Sequence, residues 1–490
     1  MGTRKRIRQR GIAIYVTSVI LVMAIPMVGL AIDGTILYVI KCRLQGAVDG
    51  AALAAAKALA RGSDDPTQQS NARTAAATYV MLNYPTSYFF STNVTVNQAT
   101  DVVIDETVAH QRTISVTGHA TVPTLFMRWL NFTSTNVNAS ATIVRKDVNV
   151  ILVLDRSGSM TASGSCGPMK QAAINFVGNF APTRDYVGVV SFATTTIVQV
   201  AATTNFSQAG LTTAINGIDC QGSTSSAAAL WTAYDQLVNL NQSAALNFIV
   251  FFTDGEPTGV AVNMPITAAS PCSAAVTSPP VPTGLPAGYN GKYIRGLYAT
   301  YTDGSAFIGL AKDTGTANAD GTPNIINNDQ GNSAAPNSTS CAFASSWYSN
   351  WTTTSDFRGI PTLDVYGNSL NNGYQGVTLA AGYIDITNHN NGIPMATNAA
   401  DDAAARIRTG TVDSAFGRGL NNVIIDSIGL GNAPVPLPAD GIFLERVSND
   451  PRSPIYNSSY PAGLYVYAQQ SSDLGNAFAQ IASEILRIAR

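Results

Sequence analysis

Charge is scarce in this chain of 490 residues. Only 12% of its side chains are Asp, Glu, Lys or Arg, where an average soluble domain carries about 25%. Apolar residues stand at an ordinary 46%, so Ser, Thr, Asn, Gly and Ala fill the gap, and a neutral polar surface of that kind suits a compartment outside the cytoplasm. Histidine is scarcer still. His110, His119 and His389 are all there is, too few for zinc ligation or imidazole catalysis, and they read as satisfied polar or surface residues. Basic excess is missing too: 28 Lys and Arg stand against 30 Asp and Glu, a net charge of −2. No basic face is available for phosphates, which excludes a nucleic-acid partner. There is no Gly-rich, Lys-containing phosphate loop, so nothing points to ATP. Internal repeats are not evident.

One long apolar run is present. Ile12 to Ile32 contains no charged side chain, and about 20 apolar residues suffice to cross hydrocarbon. Pro26 lies inside it, which membrane helices tolerate. Arg4, Lys5, Arg6, Arg8 and Arg10 precede the run; Lys41 and Arg43, mixed with Asp33 and Asp49, follow it. The positive-inside rule keeps the N-terminus in the cytoplasm and sends everything after Asp33 across the membrane. A cleaved signal peptide is the competing reading, since Gly29-Leu-Ala31 is a small-x-small site. The run is long for such a peptide, and helical spacing continues through Leu37, Val39, Ile40, Leu44, Val48, Leu53 and Ala60. One continuous helix is therefore expected until Gly62-Ser-Asp-Asp-Pro66 stops it, with the Ala-rich residues 47–60 able to admit another helix at close range.

The segment from Arg10-Gly11 through Leu44-Gln45-Gly-Ala47-Val-Asp49-Gly-Ala51-Ala52-Leu53-Ala54 resembles the N-terminal module of TadG-like proteins, which are associated with tight-adherence (Flp) pilus assembly in bacteria. The resemblance covers roughly residues 8–62. It implies a single-pass anchor in a bacterial inner membrane, the C-terminal part lying periplasmic or extracellular, and pilus-assembly components as partners. Processed pseudopilin relatives carry Glu five residues after the Gly. Here Val16 stands there, so an anchored protein rather than a cleaved subunit is expected.

Residues 1–10 are thus a basic tail and 11–62 the anchor. Residues 63–146 should form a small α+β module: a short helix over Ala72–Asn83, then alternating β-branched runs at Asn93–Gln98, Val102–Val108, Arg112–Val122 and Asn136–Val144,. It carries no evident chemistry and reads as a spacer or assembly surface.

From residue 147 the pattern changes. Val148–Leu154 and Leu246–Thr253 are almost wholly apolar, the composition of strands buried on both faces of a parallel sheet. Strands at Tyr186–Phe192 and Thr196–Ala201 and helices at Pro168–Phe180 and Ser223–Asn239 separate them. The fold class is therefore α/β, a doubly wound parallel sheet, in which ligands sit at the carboxyl ends of the strands. Two acidic loops lie on that edge: Asp155-Arg-Ser157-Gly-Ser159-Met after the first run and Asp254-Gly-Glu-Pro257 after the second. Asp155, Ser157 and Ser159 can turn three oxygens toward one point, with Gly158 easing the bend. Thr224 offers a hydroxyl and Asp254 a second carboxylate. Mg²⁺ requires about six hard oxygens and usually keeps some waters. With two carboxylates among five ligands it would stay electrophilic toward an anionic oxygen.

This constellation resembles the metal-ion-dependent adhesion site of von Willebrand factor type A (VWA) and integrin I domains. Its Asp-x-Ser-x-Ser motif falls on Asp155, Ser157 and Ser159, its Thr on Thr224 and its Asp on Asp254. The resemblance implies Mg²⁺ (or Mn²⁺ or Ca²⁺), direct binding by the hydroxyls, aspartates acting often through water, and a protein ligand presenting Asp or Glu. The family favours Gly-Gly-Thr-Asn around the threonine, whereas this chain has Gly222-Ser-Thr224-Ser225.

Of five cysteines, Cys42 stands alone near the apolar run. Cys166 and Cys220 fall in loops on the metal edge and are expected to form a disulfide; Cys272 and Cys341 suggest a second, with buried free thiols as the alternative. Residues 147–257 then form the first part of the VWA domain, 258–399 a large insertion, and 400–490 the second part. The insertion is rich in Asn, Ser, Thr, Gly and Pro with scattered Tyr and Trp, including Tyr289, Tyr293, Tyr298, Tyr301, Trp347 and Trp351. Asp303, Asp313 and Asp320 fit ordinary turns there better than calcium ligands. Helical spacing resumes at Asp401–Phe416, followed by strands at Val423–Gly429 and Leu464–Ala468 and a closing helix at Ser472–Ile488. A membrane-anchored, metal-dependent binding protein is the function expected, with a surface adhesin as the alternative. A metal-dependent hydrolase is disfavoured, since Ser157 and Ser159 have no neighbouring His or Lys in sequence to act as base.

Overall fold

A computed structural model describes residues 8–193, 195–242, 245–267, 289–300, 306–310, 359–380, 383–385, 389–410, 419–420, 422–431 and 440–489. The chain divides into two compact units at Lys146/Asp147.

The first unit is built on helix α1, Arg8–Ala58, about 76 Å long at 1.5 Å per residue. Most of its apolar run is exposed, whereas Ile40, Leu44, Ala47, Val48, Ala51, Ala55 and Leu59 are buried at intervals of three or four residues, one helical face. The alanines admit helix α2, Asp65–Asn83, whose Ala72, Ala76 and Val80 are buried in the same cluster. The helix over 72–83 therefore begins seven residues before the sequence expectation. Asp64 accepts the N–H of Thr67 (2.9 Å) and Pro66 fits the first turn, so the segment that ends α1 also starts α2.

Strands β1 (Thr92–Thr95), β2 (Val102–Asp105), β3 (Gln111–Pro123) and β4 (Ser134–Lys146) form an antiparallel sheet in which β3 pairs with the other three. Every second residue of β3 is buried, Arg112, Ile114, Val116, Ala120 and Val122 among them. At Gly118 a Cβ would lie 2.8 Å from Val48 Cγ2. Glycine there lets α1 lie directly on the strand.

The second unit holds a six-stranded sheet. Its strands are β5 (Val148–Asp155), β6 (Tyr186–Phe192), β7 (Thr196–Thr203), β8 (Leu246–Thr253), β15 (Val423–Leu430) and β16 (Tyr465–Ala468), in the order β16-β15-β8-β5-β6-β7. All neighbours are parallel except β6 and β7, an antiparallel edge hairpin. Helices α4 (Cys166–Val177), α5 (Gln208–Asn216) and α9 (Leu474–Ile488) cover Val150, Leu152, Phe248 and Val250 on one face. Helices α6 (Ser226–Leu240), α7 (Gly392–Thr409) and α8 (Gly441–Ser448) cover Ile151, Val153, Ile249 and Phe251 on the other. Alternate residues of β5 and β8 thus feed opposite cores, which is why both runs are almost wholly apolar; among the buried exceptions, Asn149 and Asn247 bond to each other (2.8 Å),.

After Pro257 the chain enters a separate antiparallel sheet of β9 (Gly259–Thr267), β10 (Tyr289–Thr300) and β11 (Ala306–Leu310), and a small one of β12 (Gly359–Ile360), β13 (Leu379–Ala380) and β14 (Tyr383–Asp385). Helix α7 begins at Gly392, nine residues before the expected Asp401 and inside the stretch assigned to the insertion. Residues 361–378 are fastened to the domain: Trp231 Nε1 donates to Asn368 Oδ1 (2.9 Å), Tyr366 stacks on the Trp231 ring, and the Arg406 guanidinium lies 4.9 Å from that ring's centre. Cys272, Cys341, Tyr301, Trp347, Trp351, Asp303, Asp313 and Asp320 lie outside the described residues, as does the expected end of the helix at Phe416.

Candidate metal centre

β5 and β8 run side by side in register, Leu154 opposite Phe252, so their carboxyl ends deliver Asp155 and Asp254 to one place. Both are fully buried. The backbone turns sharply at Ser157, which opens the short helix α3 (Gly158–Ala162). Asp155 Oδ1 fixes that turn by accepting the N–H of Ser157 (2.8 Å), while its Oδ2 accepts the hydroxyl of Thr253 (2.6 Å). The Oγ atoms of Ser157 and Ser159 are 2.9 Å apart; Ser159 Oγ donates to Asp254 Oδ1 at 2.6 Å and Ser157 Oγ at 3.5 Å.

Thr224, also buried, lies in a loop sewn to both acidic loops. Gly158 N–H donates to Gly222 O (2.9 Å), and the N–H groups of Thr258 and Gly259 donate to Thr224 O (2.9 and 3.0 Å). Thr224 N–H in turn donates to Thr258 Oγ1 (2.9 Å). Gly222 has φ +99°, a left-handed conformation that glycine adopts without cost.

Both acids are held above the ordinary carboxylate range. Burial pushes the Asp155 carboxyl upward. Burial, with the Asp155 charge beside it, pushes Asp254 up to about 7. Among the described residues, buried Asp254 Oδ2 has no hydrogen-bond partner. Hydroxyls and backbone N–H groups are what face these two acids, and two buried like charges are costly without a cation between them. A hard divalent ion fits this set of oxygens: it would give the orphaned Oδ2 a partner and offset both charges.

A family model described as "von Willebrand factor type A domain" matches residues 150–256, a stretch holding Asp155, Ser157, Ser159, Thr224 and Asp254. A second, described as "Putative Flp pilus-assembly TadE/G-like", matches residues 11–58. The chain joins a TadE/G-like module to a VWA domain. Nothing matches among curated proteins. Among solved structures, the pilus adhesin SpaC from Lactobacillus rhamnosus GG is 15% identical with a TM-score of 0.34, covering 79% of this chain; the chain spans only 33% of SpaC. The vWF domain of the type V pili tip protein Mfa5 from Porphyromonas gingivalis is 15% identical (TM-score 0.34), covering 71% of this chain and 98% of that one. The PilB minor pilin from Streptococcus sanguinis is 12% identical (TM-score 0.35), covering 81% and 79%.

In the VWA domain Cys166, the first residue of α4, is disulfide-bonded to Cys220, their Cα atoms 6.2 Å apart. The bond ties α4 to the loop that leads into Thr224, and Thr161 Oγ1 donates to Cys220 O (2.5 Å) beside it. Cys42 is free and exposed. The sequence reading missed Thr253, which holds Asp155, and Thr258, which holds Thr224. Their signal was adjacency: each flanks the Asp254 loop, a hydroxyl at a strand end next to a motif acid. It also missed Glu256, raised by burial and by Asp440.

Proposed function

We propose that this chain is a membrane-anchored, pilus-associated binding protein whose VWA domain captures a partner's carboxylate through a divalent cation. Asp155, Ser157, Ser159, Thr224 and Asp254 hold the ion, and Mg²⁺ suits their oxygens best. Buried Asp254 Oδ2, without a partner among the described residues and next to a second buried acid, is the observation that carries this reading. When bound, the ion supplies an electrophilic site for an anionic oxygen. The protein's own groups do the positioning: Thr253 orients Asp155, the Gly158–Gly222 bond aligns the first two loops, and Thr258 holds Thr224. The hydrogen bonds of Ser157 and Ser159 run to each other and to Asp254, an arrangement that favours ligation over nucleophilic attack.

The pilus role draws support from the TadE/G-like match and the long apolar helix near the N-terminus. The charge asymmetry around that helix supports a cytoplasmic N-terminus and an exported VWA domain. Calorimetric titration of Mg²⁺ into the full chain in detergent tests the site, with Asp155→Ala as control. Saturable heat lost in the variant is expected, and equal behaviour of both proteins refutes the site. Deleting the protein in a piliated cell tests the role: pili should be lost, whereas intact pili with lost surface attachment would make the chain an adhesin instead.

A further inference from the structure

We propose that the loop Leu125–Phe132 is a second membrane contact, an apolar wedge seated in the bilayer interface beside the C-terminal end of the span. The inference rests on reading α1 as that span. A Cβ added to Gly29 would lie 2.6 Å from Phe126 Cγ, so the Phe126 side chain packs directly against the helix backbone there. Gly29 sits inside the uncharged run, about 5 Å along the axis from its last residue, Ile32. The loop therefore meets α1 at a level where the helix is still in hydrocarbon.

Asp33, the first charge after the run, fixes it there. Its carboxylate is only 2% exposed and accepts the backbone N–H groups of Leu125 (2.9 Å), Phe126 (3.0 Å) and Met127 (2.7 Å). Three donors meet the charge without water, which is what a carboxylate at the edge of hydrocarbon needs. The loop closes on itself through Thr124, whose N–H and hydroxyl bond to Thr133 O and Phe132 O, and through Asn131 in a left-handed conformation.

What it presents is apolar. Trp129 is 86% exposed, Leu130 68% and Phe132 60%, with Leu125 and Phe126 near 40%. The patch meets α1 at Gly29, whose near neighbours in the chain, Met27, Val28 and Leu30, are exposed apolar residues as well. On a water-facing surface it would be a liability. At a bilayer boundary Trp is the favoured side chain, and exposed Arg128 supplies a cation for lipid phosphate. Lipid is the occupant this placement fits, because the patch begins on the span itself.

The test uses the full chain reconstituted into phosphatidylcholine–phosphatidylglycerol vesicles whose acyl chains are brominated near the headgroup. The fluorescence difference between wild type and Trp129→Phe isolates Trp129, an exposed position where the exchange leaves packing intact. In brominated vesicles that difference should fall about twofold, as expected for a ring at the interface, and aqueous iodide should leave it largely unchanged. Two results overturn the proposal while the chain stays with vesicles through an alkaline wash: quenching by iodide with none by bromolipid, or shielding from both, which would place another protein or a second copy over the loop. Release of the chain by the alkaline wash would instead sink the span reading, and the wedge with it.

Discussion

Replacing Asp254 with Asn should make the metal-free protein more stable at pH 8 while abolishing stabilisation by Mg²⁺. In the folded chain Asp254 is raised from 3.8 to about 7 by burial and by Asp155. A carboxyl whose folded value is raised contributes stability in its protonated form. That contribution is complete below about pH 4 and is lost as pH rises toward 7. A shift of about three units corresponds to roughly 4 kcal/mol between the two protonation states. Asn keeps the shape and the acceptor for Ser159 but cannot ionise, so at pH 8 in chelator the variant gains up to about 4 kcal/mol, or about 5–10 °C in melting temperature. At pH 4.5 the difference should shrink to about 1 kcal/mol, the part already lost above the unfolded value of 3.8,. Adding Mg²⁺ at pH 8 should raise the wild type and leave the variant unmoved. The assay is thermal unfolding followed by tryptophan fluorescence, in detergent, at pH 4.5–8 with EDTA or Mg²⁺. Comparing the variant with the wild type removes the background from Asp364 and Asp426, both also raised to about 7 by burial. Equal melting at pH 8 in EDTA, or equal Mg²⁺ stabilisation of both, refutes the reasoning.

Exchanging Cys166 and Cys220 together for Ser opens a loop with a sequence separation of 54; chemical denaturation should show a loss of about 4 kcal/mol, and Mg²⁺ titration should show weaker binding because the Thr224 loop is freed. Gly118→Val drives a branched side chain into Val48, whose Cγ2 already stands 2.8 Å from an added Cβ; limited proteolysis should show the first unit opening, at a cost of about 1–3 kcal/mol. Asp426 is buried, its Oδ2 unpartnered among the described residues, near Glu484 and Asp450, while Leu464 N–H donates to its Oδ1 (2.8 Å). Asp426→Asn keeps that acceptor and should raise the urea midpoint much more at pH 8 than at pH 4.5, the sign again following a raised folded value lost between about pH 4 and 7.

The parts of this fold readable from sequence are those in which one physical demand sets the composition. Val148–Leu154 and Leu246–Thr253 feed two cores at once, and that leaves an apolar signature interrupted near its start by Asn149 and Asn247. The alternating runs at 102–108, 112–122 and 136–144 bury one face only, and they pair within a residue or two of the expected limits except that β2 ends at Asp105. Elements fixed by distant partners were not readable. Gly392-Ile-Pro394 follows an Asn-rich stretch and reads as a turn. It starts a helix because Met395, Ala399 and Ala403 find the core under β8 and β15. The pairing of β7 was silent too, since strand composition does not state direction. At the candidate site the motif residues stand out in the sequence by their spacing, whereas Thr253 and Thr258 carry only the weaker signal of flanking the Asp254 loop, and their partners Asp155 and Thr224 lie far off in the chain. Asp33 reads only as a charge ending an apolar run, and its three backbone partners lie more than 90 residues away.

Helix α1 passes from the apolar run into the packed layer of the first unit as one element, Arg8–Ala58. A linker would let that layer swivel freely above its anchor; a continuous rod does not. Tilt or rotation imposed on the apolar half would reach the sheet that rests on Leu44 and Val48 as torque, with Asp33 and its loop as a bracket between the two halves. Under the anchoring proposed above, the helix would then do more than tether: it would work as a drive shaft, its angle in the membrane setting the angle of the layer packed on it.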